Sequence, residues 1–110
     1  MYHYGVNVQQ DDAQASNLYR KACESGNRAS CTCLGFAYQY GLGVARDQMQ
    51  AVTFYGKACE KGEMTGCRNL ALQYQRGEGV PKDAEQALSL YHKACDGGDA
   101  GACEEAKSQD

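Results

Sequence analysis

Tyr91-His92-Lys93-Ala94-Cys95-Asp96-Gly97-Gly98-Asp99-Ala100-Gly101-Ala102-Cys103 is one of three copies of a single frame. The frame also opens at Tyr55-Gly56-Lys57-Ala58-Cys59 and closes at Cys67, and it opens at Tyr19-Arg20-Lys21-Ala22-Cys23 and closes at Cys31. Successive copies lie 36 residues apart, so Cys23, Cys59 and Cys95 form one column and Cys31, Cys67 and Cys103 another. A fixed period of that length describes a stack of similar supersecondary units rather than a chain built around one unique site.

Working outward, Ala15, Leu18, Tyr19 and Ala22 fall at helical spacing, and Ala51, Phe54, Tyr55, Ala58 and Ala87, Leu90, Tyr91, Ala94 repeat them. Three amphipathic helices are therefore expected, each behind an aspartate N-cap with a glutamine three residues on: Asp11 and Gln14, Asp47 and Gln50, Asp83 and Gln86. Such a pair can satisfy two orphan amides reciprocally. The helices should end toward Gly26, Gly62 and Gly98, where a tight turn is expected. A second helix of each hairpin then carries Cys31, Leu34, Tyr38 or Cys67, Leu70, Tyr74, and stops before Gly41 or Gly77.

The short stretches Gly41-Leu42-Gly43-Val44-Ala45-Arg46-Asp47 and Gly77-Glu78-Gly79-Val80-Pro81-Lys82-Asp83 connect the hairpins, each with one inward valine. On the same register Tyr2, Gly5, Val8 and Asp11 continue the pattern backward, so residues 1–11 read as a partial repeat ahead of units 12–47, 48–83 and 84–110. The chain is expected to be a slice of a longer array, the alternative being a first hairpin trimmed away to leave an exposed stacking face. At the other end Ala106 and Asp110 replace the leucine and tyrosine columns, the polar character of a terminal cap.

At 110 residues the chain has the length of one small domain, which buries a limited share of its surface. Seven cysteines, six of them in identically spaced pairs, point to an oxidising compartment, periplasmic or extracellular. No apolar run approaches the roughly 20 residues that span a bilayer, and no signal peptide is recognisable in the chain. A formal net charge of −3 supplies no basic field, which sets nucleic acid aside as a partner.

Leu34-Gly35-x-x-Tyr38, Gly41-x-Gly43-Val44-x-x-Asp47, Ala51-x-x-x-Tyr55 and Lys57-Ala58 resemble the Sel1-like repeat family. The added Cys-x7-Cys is similar to its cysteine-rich branch, that of the Helicobacter cysteine-rich proteins. The resemblance implies an all-α solenoid of helix hairpins, similar to tetratricopeptide arrays, wound into a right-handed superhelix whose concave face binds proteins or peptides. It also implies use as an envelope or secreted scaffold. Immunity partnership with a secreted effector, and penicillin binding or weak β-lactamase activity, are further properties attributed to relatives.

The paired cysteines read as structural bonds, Cys23 to Cys31, Cys59 to Cys67 and Cys95 to Cys103, each joining the end of one helix to the start of the next. In the chain-entropy model, which is disputed, closing so short a loop contributes about 2 to 3 kcal/mol. Metal binding is the rival, but Cys-x7-Cys is not the close pairing usual for zinc, and the chain has only two histidines. Neither a metal nor a cofactor is expected. Cys33 has Asn69 and Glu105 in its column, so it is expected to face outward as a free thiol. His92 shares a column with Arg20 and Gly56, and His3 one with Gln39 and Gln75; both histidines are expected to be solvated.

A serine β-lactam site needs Ser-x-x-Lys, and Ser89 stands four residues from Lys93. No Gly-x-Ser-x-Gly elbow or phosphate-cradling glycine loop occurs either. Catalysis is therefore not expected. By the resemblance, the helices over 31–40 and 67–76 line the concave groove, which places Thr32, Cys33, Phe36, Gln39 and Tyr40 beside Arg68, Asn69, Leu72, Gln75 and Arg76. Asn69 resembles the residue that holds a bound peptide's backbone or carboxylate in such arrays. The two arginines suit an acidic segment or a C-terminus. Apolar Phe36 and Leu72 outside the packing stripe suggest a contact surface.

Overall fold

The computed structural model describes residues 8–109, and the side chains of residues 13–108. Its described residues form six helices and no strand: α1 (Val8–Glu24), α2 (Arg28–Tyr40), α3 (Gln48–Glu60), α4 (Met64–Arg76), α5 (Ala84–Asp96) and α6 (Ala100–Gln109). Each helix packs against the next in sequence, and α2 also touches α4. The stack measures 48 × 26 × 25 Å, long in the direction in which hairpins are added. This is the all-α hairpin solenoid that the family resemblance implies.

Short helices of 13 residues are marginal alone and need packing on an apolar face. Ala51, Phe54, Tyr55 and Ala58 supply that face on α3 and are all buried; Ala87, Tyr91 and Ala94 do the same on α5, with Leu90 half-buried. In α1 the same columns behave differently. Ala15 and Ala22 are half-buried, whereas Leu18 is 66% exposed and Tyr19 37% exposed.

Asp47 caps α3 by accepting hydrogen bonds from the amides of Met49 and Gln50, and Asp83 caps α5 by accepting one from Gln86. The reciprocal half of the expected box is not made. The amides of Asp47 and Asp83 donate instead to the carbonyls of Tyr38 and Tyr74 in the preceding helices, which leaves Gln50 and Gln86 exposed. Asp11 does not begin a helix at all, since α1 already runs from Val8. The breakers that end the other loops, Gly43 and Gly79 with Pro81, are Asn7 and Gln9 in this copy, so no residue from 8 to 11 interrupts helical backbone.

The starts of the second helices carry caps that the cysteine pattern concealed. Asn27 accepts from the amide of Ser30, Glu63 from that of Thr65, and Asp99 from that of Ala102. Their ends follow the glycines. Gly41 and Gly77 take φ of 69° and 70°, a left-handed conformation that a side chain disfavours, and their amides donate to Ala37 and Gln73.

Three disulfides, Cys23–Cys31, Cys59–Cys67 and Cys95–Cys103, tie α1 to α2, α3 to α4 and α5 to α6. Cys31 and Cys67 are fully buried and belong to two separate apolar clusters, one around Leu34 and Phe54 and one around Ala71 and Tyr91. The staples thus reinforce packing at the points where each hairpin turns. Val44 and Val80 are half-buried beneath the connecting loops. No described helix is long and apolar enough to cross a membrane.

Between the two clusters the chain places a polar ladder. Tyr55 OH donates to Gln39 Oε1, Gln39 Nε2 donates to Gln73 Oε1 at 3.2 Å, and Gln73 Nε2 donates to Gln48 Oε1 at 2.7 Å. Gln73 is completely buried and Gln39 nearly so, hence each amide must find partners inside the stack. The ladder joins α2, α3 and α4 at one level.

Candidate functional site

The α2–α4 contact puts those two helices on the tighter side of the stack, and their outward residues form the candidate surface. A close approach is required there. Gly66 lets α4 lie against Ala58 and Thr32, whose Oγ1 would sit 3.0 Å from a Cβ at that position. Thr32 is consequently 8% exposed, and its hydroxyl oxygen is buried with no hydrogen-bond partner among the described residues.

Two depressions flank this contact. The first, about 600 Å³, is walled by Tyr19, Cys33, Phe36 and Leu42 on its apolar side, with Arg68 and Asn69 opposite. Thr32 lines it as well. The second, about 540 Å³, lies between Leu72, Gln75 and Arg76 of α4, Lys82 of the following loop, Ala84 at the start of α5, and Glu105 of α6. Phe36 and Tyr40 form a tilted aromatic pair, 4.6 Å between centroids, and both are about half exposed.

The ten residues expected on one surface are therefore divided. Thr32, Cys33, Phe36, Arg68 and Asn69 border the first depression; Leu72, Gln75 and Arg76 border the second. Gln39 leaves the surface altogether, since its amide is consumed by the interior ladder. Gln75 is half-buried and accepts a hydrogen bond from Tyr91 OH at 2.7 Å. Residues that sequence reasoning passed over also contribute: Tyr19 and Leu42 to the first depression, Lys82 to the second. The column of Tyr19 marks it for packing, and Lys82 stands in a connecting loop.

Arg68 is the more constrained of the two arginines. Its Nε donates to Asp99 Oδ2 at 3.1 Å while Asp99 Oδ1 caps α6, so the pair ties α4 to the start of the last helix. Arg76 is exposed and makes no ion pair among the described residues. Around Tyr91, burial foremost and the Glu105 carboxylate next push the phenol up, while Arg76 and Arg68 oppose them. Arg76 and Glu105 also border the second depression together.

Cys33 is the free cysteine among the described residues, and it is exposed. Burial of the sulfur, then the Glu63 carboxylate, push its thiol up from the ordinary value, opposed by a hydrogen bond from Tyr19. It is a protonated thiol at neutral pH rather than an activated nucleophile. His92 is exposed on α5, and His3 lies outside the described residues. No cluster of three or more potential metal ligands occurs among the described residues.

Stacked hairpins, one disulfide across each turn and a polar-and-aromatic inner face define a disulfide-stapled α-solenoid. The Sel1 repeat model matches residues 1–27, 30–63 and 65–99, and this chain belongs to the Sel1 repeat family. Among solved structures it is similar to Helicobacter pylori cysteine rich protein B, at 33% identity and a TM-score of 0.80, covering 90% of this chain and 71% of that one. A Sel1 repeat protein from Oxalobacter formigenes is 27% identical with a TM-score of 0.82, over 86% of this chain and 39% of that one. A protective antigen of uropathogenic Escherichia coli with this repeat fold is 30% identical with a TM-score of 0.79, over 89% of this chain and 24% of that one. The chain thus spans well under half the length of the last two. No curated protein sequence matches it. Sel1 repeat arrays are scaffolds for protein–protein interaction, and that is the class of this chain.

Proposed function

We propose that the chain binds an extended segment of a partner protein along the outward face of α2 and α4, with repeat units 12–47, 48–83 and 84–110 presenting that face. The observation that carries this reading is the exposed Phe36–Tyr40 pair beside the first depression: two large aromatic groups left in water next to a concave wall cost solvation unless a partner covers them. Arg68, Asn69, Leu72 and Arg76 extend the surface along the stack. Three internal disulfides and the likeness to the Helicobacter protein support an oxidising compartment, periplasmic or extracellular, as its workplace. An immunity or adaptor role toward a secreted protein is one form of the same reading, and the sequence resemblance is its support.

Selection of peptides from a displayed library on the full chain tests it. Phe36→Ala and Tyr40→Ala should each weaken retained peptides about tenfold or less, while Met49→Glu on α3 should leave them bound. Equal binding by all of these variants would refute the assignment of the face. Turnover of a chromogenic cephalosporin by the pure chain would replace this reading with a hydrolytic one.

A further inference from the structure

We infer that the second depression is a carboxylate-binding site, formed by Arg76 and Lys82, that takes an acidic side chain of the partner segment. The inference rests on the binding reading above and locates its charged contact away from Arg68. The two loops of the array, otherwise alike, explain why. In the first, the cation is Arg46, which turns back and donates from Nε to the carbonyl of Gln39 at 3.1 Å; the residue before the loop glycine is Tyr40. In the second, the corresponding positions are Lys82 and Arg76.

Lys82 lines this depression together with Arg76. Its backbone nitrogen lies 3.3 Å from a Cβ built on Gly77, the residue that immediately follows Arg76. Both side chains are exposed, and neither forms an ion pair among the described residues. Arg68, in contrast, already has a carboxylate, that of Asp99. Glu105 lines the same depression and leaves it one positive charge in excess. Ala84, the first residue of α5, adds the favourable end of a helix dipole at the same wall. Half-buried Leu72 provides an apolar floor beside the cations. Charge and shape together suit an apolar residue next to a carboxylate in an extended chain.

The test uses the full chain and a phage-displayed library of random octapeptides, with the retained sequences made as synthetic peptides. Retained peptides should place Asp or Glu next to an apolar residue. Their affinity should fall about tenfold on R76Q/K82Q, fall again as salt rises, and increase severalfold on Glu105→Gln. Changing the peptide's acid to its amide should abolish the effect of R76Q/K82Q, a coupling that a merely structural role would not produce. If peptides are retained but are neutral, or are insensitive to R76Q/K82Q while sensitive to Phe36→Ala, the carboxylate site is refuted and the binding face stands. If no peptide is retained, both fall.

Discussion

Tyr19, Tyr55 and Tyr91 occupy one column of the repeat, yet Tyr55 and Tyr91 are completely buried while Tyr19 is 37% exposed. The identity of the residue is constant; what changes is the helix on its far side. For Tyr55 that helix is α2, which offers Gly35 against the ring and Gln39 to its hydroxyl, and for Tyr91 it is α4, which offers Gln75. A solenoid supplies burial from the neighbouring unit, so a column alone marks a capacity for packing rather than packing itself.

The largest test of this contrast is the removal of the ring. Tyr55→Ala should cost about 3 to 5 kcal/mol in denaturant unfolding, through lost packing and an orphaned Gln39, whereas Tyr19→Ala should cost under about 1 kcal/mol. Equal losses would show that the two ends of the column are packed alike. Next in size come the staples. Replacing Cys59 and Cys67 by serine should lower stability by about 2.5 kcal/mol, and titration of the denatured wild-type chain should find one free thiol, that of Cys33. Seven reactive thiols would overturn the disulfide framework.

A finer test lies at Gly35, where a Cβ would fall 2.7 Å from the Tyr55 ring; its column neighbour in the next copy is Ala71. Gly35→Ala should destabilise by about 1 to 3 kcal/mol despite the better helix propensity of alanine, because the buried ring, hydrogen-bonded to Gln39, must shift to admit the methyl group. A stabilising outcome would mean that the α2–α3 contact can widen.

The smallest effect is expected with pH. Burial foremost, with Tyr40 and Cys33 adding to it, pushes the Tyr55 phenol well above its ordinary value of 10.0. The folded chain therefore holds the proton more tightly than the unfolded chain, so this contribution is complete below pH 10 and is lost as pH rises above it. Denaturant midpoints should decline through that alkaline window, and Tyr55→Phe should reduce the slope.

Much of the fold was legible because its signals repeat. Each glycine stop, each aspartate before α3 and α5 and each cysteine pair could be checked against a second copy, and chance rarely writes the same error at a fixed interval. Where the copies differ, legibility ended. The column of Asp11 points to a helix start there, but residues 8–11 lack the breakers that such a loop needs, and α1 runs from Val8. The column of Gln39 points outward, where an amide ordinarily meets water; only the nearness of Tyr55 and Gln73 converts it into an interior partner.

The same division separates Arg68 from Arg76. Sequence places both on one helix, two turns apart and equally charged, but it carries no record of Asp99 reaching Arg68 or of Lys82 sharing a depression with Arg76. Period, capping and cysteine spacing determined by themselves that this chain is a stapled helical array, since those features act between residues close in sequence. Tertiary structure alone decided which polar groups are spent inside and which remain for a partner, because hydrogen bonds and ion pairs between helices depend on approaches of a few ångströms that no single column encodes.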